Sequence, residues 1–527
     1  MKRKLFLMMI VIAVVFGVWK MISHIREIIE IRPAKDKVLN IHADLDVAPM
    51  PVNERTELAQ NPPNIILILA DDMGWRDVGY NHSEIRTPVM DHLAARGITL
   101  NRFYAQPSCS PTRAALLTGK SPQRLGIYGP LSKNNPAGLP LSEKTLADQL
   151  KEAGYQTAMT GKWHLGPLNL DYHPNARGFD HFYGNLTGGV GYYDKVHGGG
   201  YDWQRNGQTV REEGYMTRLL ADEAIRLIEN RDPDKPLFLY VAFGAPHLPN
   251  EAPAETIDSY ASIKDKNRRL HAAMVTEMDM AIGKIETALG EQGISDNTLI
   301  WFMSDNGGLT SKWMAKLPEP LLKIGVESRF KIKSTETFMR FVRTNFRDGG
   351  SDNRPFTGGK QNVSEGGVRV PSFLYWPGAI SPGQYNYMAT VQDVLPTLKE
   401  ISQIPSQTVT DGVSLWAGLQ NNAPAPDRDY LVHASQDAWS DAIYRYPYKL
   451  AKKGSEFRLF NVEADPLETQ NIASDFPEIV AELSDALSVF PRADSIGLDM
   501  QTVVDDPDFF GGKEDREPWA DQAYRVE

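Results

Sequence analysis

One cysteine, Cys109, is all that this 527-residue chain contains. That excludes an intramolecular disulfide framework, a multi-cysteine zinc site and an iron–sulfur cluster. Positive charge is also in short supply. The chain has 56 Lys and Arg against 67 Asp and Glu, a net charge of −11 with histidines neutral. Such a chain is a poor general binder of nucleic acid, because neutralising phosphates needs clustered cations. Compositional extremes are missing too. Hydrophobic residues make up 42% and charged residues 23%, which rules out wholesale disorder and collagen-like repeats. At roughly 150 residues per domain, the length suggests two or three domains around a large core.

Long apolar runs are absent apart from one. Lys2, Arg3 and Lys4 precede an uninterrupted apolar run over residues 5–19, and Lys20 closes it. A cationic start followed by an apolar stretch is the pattern of an export signal. The 15 residues of the run fall short of the roughly 20 that span a bilayer comfortably. Residues 1–22 therefore read as either a cleaved signal peptide or an uncleaved signal anchor. In both cases the folded part is expected outside the cytoplasm. One cysteine in an exported chain suits a bacterial periplasm better than a disulfide-rich compartment. Residues 23–60 are polar and punctuated by Pro33, Pro49 and Pro51, and read as a linker or stalk.

Beyond that point short apolar runs alternate with helix-like stretches, which is the signature of an α/β fold. The ends of the runs carry the chemistry. The run at 65–70 ends in Asp71 and Asp72, and the run at 298–303 leads to Asp305 and Asn306. The run at 237–243 is followed by His247, and a weaker one at 156–160 by Lys162 and His164. Open α/β sheets bind ligands outside the carboxyl ends of their strands, so four such ends can converge on one site. Asp and Asn after a strand also start turns and cap helices. Together, however, Asp71, Asp72, Asp305 and Asn306 form an all-oxygen donor set, which suits Ca²⁺ or Mg²⁺ and not zinc.

Cys109 belongs to a helix start. Ser110 fits the N-cap, Pro111 the first helical position and Gly119 the C-cap. The positive end of that helix, with Arg113 one turn in, favours anions and predicts a lowered thiol pKa.

These residues carry a resemblance. Cys109-x-Pro111-x-Arg113 followed by Thr118-Gly119 resembles the signature of the type I, formylglycine-dependent sulfatases. Asn64 to Trp75, Gly161 to Gly166, Arg177 to Asp180, Ala245-Pro246-His247, Ser304 to Gly308, Gly358-Gly359-Lys360 and Glu365-Gly366-Gly367 match further motifs of that family, in order. Leu459-Phe460-Asn461 with Asp465-Pro466 and Glu468 resembles a C-terminal one. The context around Asp77 to Tyr80 and Gln106 to Ser108 is most similar to the arylsulfatase B-like, N-acetylgalactosamine-4-sulfatase-like branch.

The resemblance implies an alkaline-phosphatase-like α/β/α sandwich over 61–424, with a smaller C-terminal α+β subdomain over 425–527 made of a short antiparallel sheet and a helix. It implies formylglycine formed from Cys109 by a maturation enzyme. It also implies a calcium (Mg²⁺ as alternative) held by Asp71, Asp72, Asp305, Asn306 and residue 109. Arg113 and His164 would orient and deprotonate the nucleophile, Lys162 and Lys360 would clamp the sulfate, and His247 would protonate the leaving oxygen or hold it with Lys360. The implied substrate is a sulfated oligo- or polysaccharide, with 4-O-sulfated galactose or N-acetylgalactosamine favoured by the branch. The rivals are a phosphomonoester or phosphonate hydrolase of the same fold, and a silent glycan-binding protein whose Cys109 is never converted. Tyr192, Tyr193 and Trp203 could stack on sugar rings or belong to the core.

Residues 312–354 depart from the branch as an insert. They hold ten Lys and Arg and five Asp and Glu, a basic stretch that could steer a polyanionic substrate. Neutralising Arg340, Arg343 and Arg347 together should raise KM for a sulfated polymer while leaving KM for a small aryl sulfate unchanged. Equal effects on both substrates would sink the steering role.

Overall fold

The structure is a computed structural model that describes residues 62–310, 333–345, 349–405, 409–426, 428, 430–435, 441–497, 510 and 517–523. The export segment, the stalk and most of the basic insert, including Arg347, lie outside the described residues. Among the described residues no helix is long and apolar enough to cross a membrane.

The four apolar runs form strands, named β1 (Asn64–Ala70), β2 (Gln156–Lys162), β3 (Leu237–Ala242) and β4 (Thr298–Ser304). They pair in parallel in the order β4, β1, β3, β2 at the centre of a ten-stranded sheet. His181–Asn185 extends the parallel part beside β2, and Gln204–Arg205 and Gln208–Thr209 finish that edge antiparallel. Ser372–Tyr375 pairs antiparallel with β4, followed by Ile98–Leu100 and Gly383–Tyr385. Every residue of β1, β3 and β4 is buried, as expected of strands covered on both faces.

Alternation along β1 shows what covers them. Ile65, Leu67 and Leu69 pack with the helices Cys109–Thr118, Leu146–Glu152 and Val394–Ile401. Ile66, Ile68 and Ala70 pack with Pro88–Arg96, Met216–Glu229 and Lys266–Glu291 on the other face. This is the α/β/α sandwich the resemblance implied. Each fully buried Leu or Ile side chain contributes about 1.5–3 kcal/mol, so the two layers lock the strand register that the site depends on.

A four-stranded antiparallel sheet follows, with strands Leu431–Ala434, Asp441–Arg445, Tyr448–Lys453 and Glu456–Asn461. One face, Val432, Ile443, Leu450 and Leu459, packs on Leu483 and Leu487 of the helix Pro477–Val489. The opposite face, Leu431, Ala442 and Tyr444, packs on Tyr104, Val363 and Val368 of the large domain. The chain then returns along the large domain. Ala493 and Ile496 amides bond to the Gln123 and Gly126 carbonyls, and Thr209 donates to Asp521 at 2.7 Å.

Asp279 ties the outer helical layer together. Its carboxylate is 1% exposed and accepts the Met90 and Val89 amides at 2.8 and 3.2 Å, at the start of Pro88–Arg96. Burial pushes this carboxyl up from 3.8 to about 6. The folded state then binds the proton more tightly than the unfolded chain. The resulting stability is fully present below the unfolded value and is lost as pH rises through about 6. Wild type should therefore lose stability relative to Asp279→Asn between pH about 4 and about 6 in paired denaturant titrations. A pH-independent difference would show an ordinary carboxyl.

Candidate active site

The register brings the four strand ends level. Ala70 lies opposite Ser304, Leu69 opposite Ala242, and Ala242 opposite Gly161. The chain is stitched just beyond those ends: the Asp71 amide donates to the Ala245 carbonyl at 3.0 Å, and the Asp305 amide to that of Ala70 at 2.9 Å. Asp72 takes a left-handed turn with φ of 66°, a conformation that Asp tolerates better than most residues. Its amide then faces Asp305 Oδ1 at 3.1 Å.

The helix Cys109–Thr118, named α1, supplies the next groups, and every one of its residues is buried. It starts two residues earlier than the sequence predicts. Ser108 is the N-cap, Cys109 is the first helical residue, and Pro111 stands third. Proline fits there because the first amides of a helix have no partner within it. Gly119 ends the helix with φ of 66°, as expected. Three side chains dock α1 on the strand ends. Ser110 Oγ donates to the His164 carbonyl at 2.9 Å, and Thr112 Oγ1 donates to the Asp305 carbonyl. Arg113 spans the gap: one Nη donates to the Lys162 carbonyl at 2.7 Å, and the other lies 3.1 Å from Asp305 Oδ2 and 3.5 Å from Asp71 Oδ2.

Three carboxylates thus meet in a dry interior: Asp71, Asp72 and Asp305 are all 2% exposed or less. Lys162 Nζ sits 2.5 Å from Asp71 Oδ2, and Lys360 Nζ 2.8 Å from Asp72 Oδ1. Burial opposes ionisation of Asp71, but Lys162, His247 and Arg113 outweigh it and hold that carboxyl far below the usual range. Burial likewise opposes Asp72, and Lys360 with His247 lowers it. Asp305 goes the other way: burial and the neighbouring Asp71 push it up to about 7.

Cys109 Sγ lies 3.6 Å from Asp71 Oδ1. Burial pushes its thiol up to about 12, with Asp71 and Asp305 adding to it against Lys162 and Lys360. The expected lowering by the helix terminus is therefore overturned. At 1% exposure, desolvation of a thiolate exceeds what one helix end returns.

Both candidate histidines are neutral. Burial and Lys162 hold His164 well below the ordinary value, and burial and Lys360 hold His247 at about 4. A carbonyl only accepts, which settles the tautomers. His164 Nε2 donates to the Leu131 carbonyl at 3.1 Å, leaving Nδ1 buried with no partner among the described residues. His247 Nδ1 donates to the Leu248 carbonyl at 2.7 Å, leaving the Nε2 lone pair 3.6 Å from Asp72 Oδ2.

These donors fit a hard cation. Ligand atoms of Asp71, Asp72, Cys109 and His247 lie within 4.8 Å of one another. Asn306 Oδ1 is a buried carbonyl oxygen with no hydrogen-bond partner among the described residues, while its Nδ2 donates to Asp72 Oδ1 at 2.7 Å. Asp305 stands slightly apart, with its two oxygens on the Asp72 amide and Arg113. Of the expected metal donors, Asp71, Asp72 and Cys109 cluster closely with Asn306 alongside, and His247, expected as an acid, lies among them.

A narrow pocket beside the cluster is lined by Lys162, Asn185, Gly189, Tyr192, Met216 and Leu248. Asn185 was not singled out in the sequence. It enters because His181–Asn185 pairs with β2 so that Asn185 lies opposite Lys162. The aromatics divide. Tyr192 is buried with its hydroxyl 2.7 and 2.9 Å from the Gly244 and His247 carbonyls, Trp203 packs edge-on against Tyr183, and Tyr193 is 49% exposed.

Comparison with known proteins follows the same residues. The Sulfatase family model matches residues 63–404. Arylsulfatase J of Mus musculus is 32% identical over 504 residues, covering 84% of this chain and 78% of that protein. N-acetylgalactosamine-6-sulfatase of Homo sapiens is 34% identical over 386 residues, covering 68% of this chain and 66% of that protein. Among solved structures, Ps i-CgsB in complex with k-i-k-neocarrahexaose superposes with a TM-score of 0.73 at 29% identity, over 84% of this chain and 96% of that one.

The donor cluster predicts a stability response to cations. Calcium at a hundred times its Kd should stabilise the folded chain by about 2.7 kcal/mol, and a chelator should reverse this. Asp72→Ala or Asn306→Ala should abolish most of the response in a thermal-shift titration. An unchanged Tm in wild type over millimolar Ca²⁺ and Mg²⁺ would argue against the site.

Proposed function

The chain belongs to the sulfatase family and is a sulfuric ester hydrolase, and from that premise we propose that it removes 4-O-sulfate from galactose or N-acetylgalactosamine units of a sulfated glycan, using formylglycine made from Cys109. The observation that carries this reading is the meeting of three buried cations, three carboxylates and Cys109 at one set of strand ends. Recognition of a sulfated oligosaccharide is supported by the neocarrahexaose-bound relative and by the N-acetylgalactosamine-6-sulfatases among the similar proteins. The 4-O position rests on the branch resemblance.

Asp71, Asp72, Asp305 and Asn306 would hold calcium or magnesium, which supplies charge neutralisation for the sulfate and lowers the pKa of the nucleophile. Formylglycine at 109 supplies, once hydrated, the hydroxyl that attacks sulfur. The remaining work falls to ordinary side chains. Lys162 and Lys360 bind sulfate oxygens as fixed positive charges in a low-dielectric pocket. Arg113 helps keep Asp71 ionised and aligns both Asp71 and Asp305. His164, fixed through Nε2, offers the lone pair on Nδ1 to accept the nucleophile's proton. His247, fixed through Nδ1 by Leu248, turns an unprotonated Nε2 to the site and would take up a proton there before passing one to the leaving oxygen. A sugar alkoxide is a poor leaving group, so that proton matters.

Maturation would require a formylglycine-generating partner, and the cationic start and apolar run of residues 1–22 support export to the periplasm or a tether facing it. The test has two stages. Protein from its native host is digested, and the peptide spanning residues 103–113 is treated with an aldehyde-reactive label. Sulfate release is then measured on matched galactose and N-acetylgalactosamine oligosaccharides sulfated at O4 or O6, with Cys109→Ala as control. The reading expects labelling, release from the O4 esters and none from Cys109→Ala. Release from O6 esters alone overturns the position. An alkylatable thiol throughout overturns the mechanism and favours the glycan-binding rival.

A further inference from the structure

Where the C-terminal sheet meets the large domain, a second charged cluster is buried. Lys449 is wholly buried, with Nζ 2.6 Å from Glu468 Oε1 and 3.3 Å from Glu365 Oε1. Glu365 is also fully buried and accepts the Tyr104 hydroxyl at 2.9 Å and the Tyr444 hydroxyl at 3.1 Å. Glu468 reaches back across 103 residues and accepts the Glu365 amide at 2.8 Å. Lys449 is thus the ammonium shared by two desolvated carboxylates. Removing it takes away the ammonium between the two carboxylates, leaving Glu365 with the two tyrosine hydroxyls and Arg369 at 3.7 Å and Glu468 with the Glu365 amide, a strongly unfavourable change.

The cluster lies under the loop that carries Lys360. Glu365 opens the short turn Glu365–Val368. Within that turn the Gly366 amide donates to the Thr357 carbonyl at 2.8 Å, and the Gly367 carbonyl accepts the Gly307 amide at 2.9 Å, one residue beyond Asn306. The Lys360 amide donates to the Gly308 carbonyl at 3.2 Å. Thr357 Oγ1 donates to the Leu467 carbonyl at 3.1 Å, next to Glu468, and Ser435 donates to the Gln361 carbonyl. The loops bearing Lys360 and Asn306 therefore share one turn, and that turn is pinned from the C-terminal side.

We propose that Lys449 and Glu468 are positioning residues for Lys360, the buried pair holding residues 357–368 so that the Lys360 ammonium meets the sulfate. The inference rests on the sulfatase reading of the site. It gives the C-terminal motif around Asp465, Pro466 and Glu468 a task in sulfate binding, where a purely architectural sheet would have none.

A double-mutant cycle tests it in the full-length, matured chain. Lys360→Ala, Lys449→Met and the double variant are compared by kcat and KM for 4-nitrophenyl sulfate and by the Tm shift that inorganic sulfate induces. Lys449→Met should lower kcat/KM by about 10- to 100-fold, chiefly through KM, and shrink the sulfate response. The double variant should be no worse than Lys360→Ala alone, and Lys449→Arg should recover part of the loss. Losses that multiply, or a wild-type KM and sulfate response in Lys449→Met, overturn the inference. If Lys449→Met does not fold, Glu468→Gln enters the same cycle with its amide acceptor for Glu365 intact. If neither folds, the pair is a folding element and the positioning role is overturned. A wild type that binds sulfate without hydrolysing the ester overturns the sulfatase reading alone, and the cycle is then read from the Tm shift. A wild type that does neither overturns both.

Discussion

The burial of Asp71, Asp72 and Asp305 at one point is the constraint on which the remaining architecture depends. Two like charges 4 Å apart repel by about 4 kcal/mol at an effective dielectric of 20. Three carboxylates in a dry interior cannot persist without counter-charge. Arg113, Lys162 and Lys360 provide it from three unrelated parts of the chain, each within hydrogen-bonding distance of its carboxylate. The unpartnered Asn306 oxygen and the His247 lone pair leave acceptors to spare for a divalent ion. Such an arrangement tolerates little displacement, because a shifted cation leaves a desolvated anion behind. The level strand ends, the left-handed turn at Asp72 and the fully buried α1 follow from that demand.

Much of this was legible in the sequence, because the site is written at the ends of apolar runs. The runs at 65–70, 156–160, 237–243 and 298–303 are buried strands, and Asp71, Lys162, His247 and Asp305 follow them where parallel strands deliver side chains together. Strand order was not legible, since nothing local says that β3 lies between β1 and β2. The thiol pKa was misjudged because a sequence shows a helix terminus but not the desolvation that outweighs it. The start of α1 was off by two because Ser108 and Ser110 are equally good caps, and tertiary docking of Ser110 on His164 decides between them. Tyr192 and Trp203 turned out to be core, for which an aromatic residue alone gives no sign.

The basic insert shows what a charge count of one stretch leaves out. Ten cations against five anions led to the expectation that it could steer a polyanion. Of the arginines in question, Arg340 pairs with Asp194 and Arg343 with Glu336 of its own helix, Thr335–Asn345. Asp194 lies outside the insert, so part of the local excess is cancelled by a residue the count omitted. Exposed pairs like these contribute little to stability, yet they reduce the field a distant polyanion would feel. What Arg340 does provide is attachment, holding that helix to the segment next to exposed Tyr193 and pocket-lining Tyr192.

The C-terminal sheet shows why a site can be complete in motifs and still need the whole chain. Its helix-facing side is an ordinary apolar core of Val432, Ile443, Leu450 and Leu459. Its other side sets a charged residue, Lys449, against Glu365 beside the apolar contacts of Leu431, Ala442 and Tyr444. Sequence-local reasoning cannot find this contact, because 84 residues separate the partners and each alone resembles a surface charge. A buried ammonium is costly unless it is paired on more than one side, and here Glu365 and Glu468 both serve it. An apolar substitute of equal volume would fill the space but could not fix the direction of Glu365. That direction sets the turn at Glu365–Val368, and through it the Gly307 and Lys360 backbones. The backbone around Lys360 is thus tied to the C-terminal sheet as well as to the strand ends that carry Asp71 and Asp305.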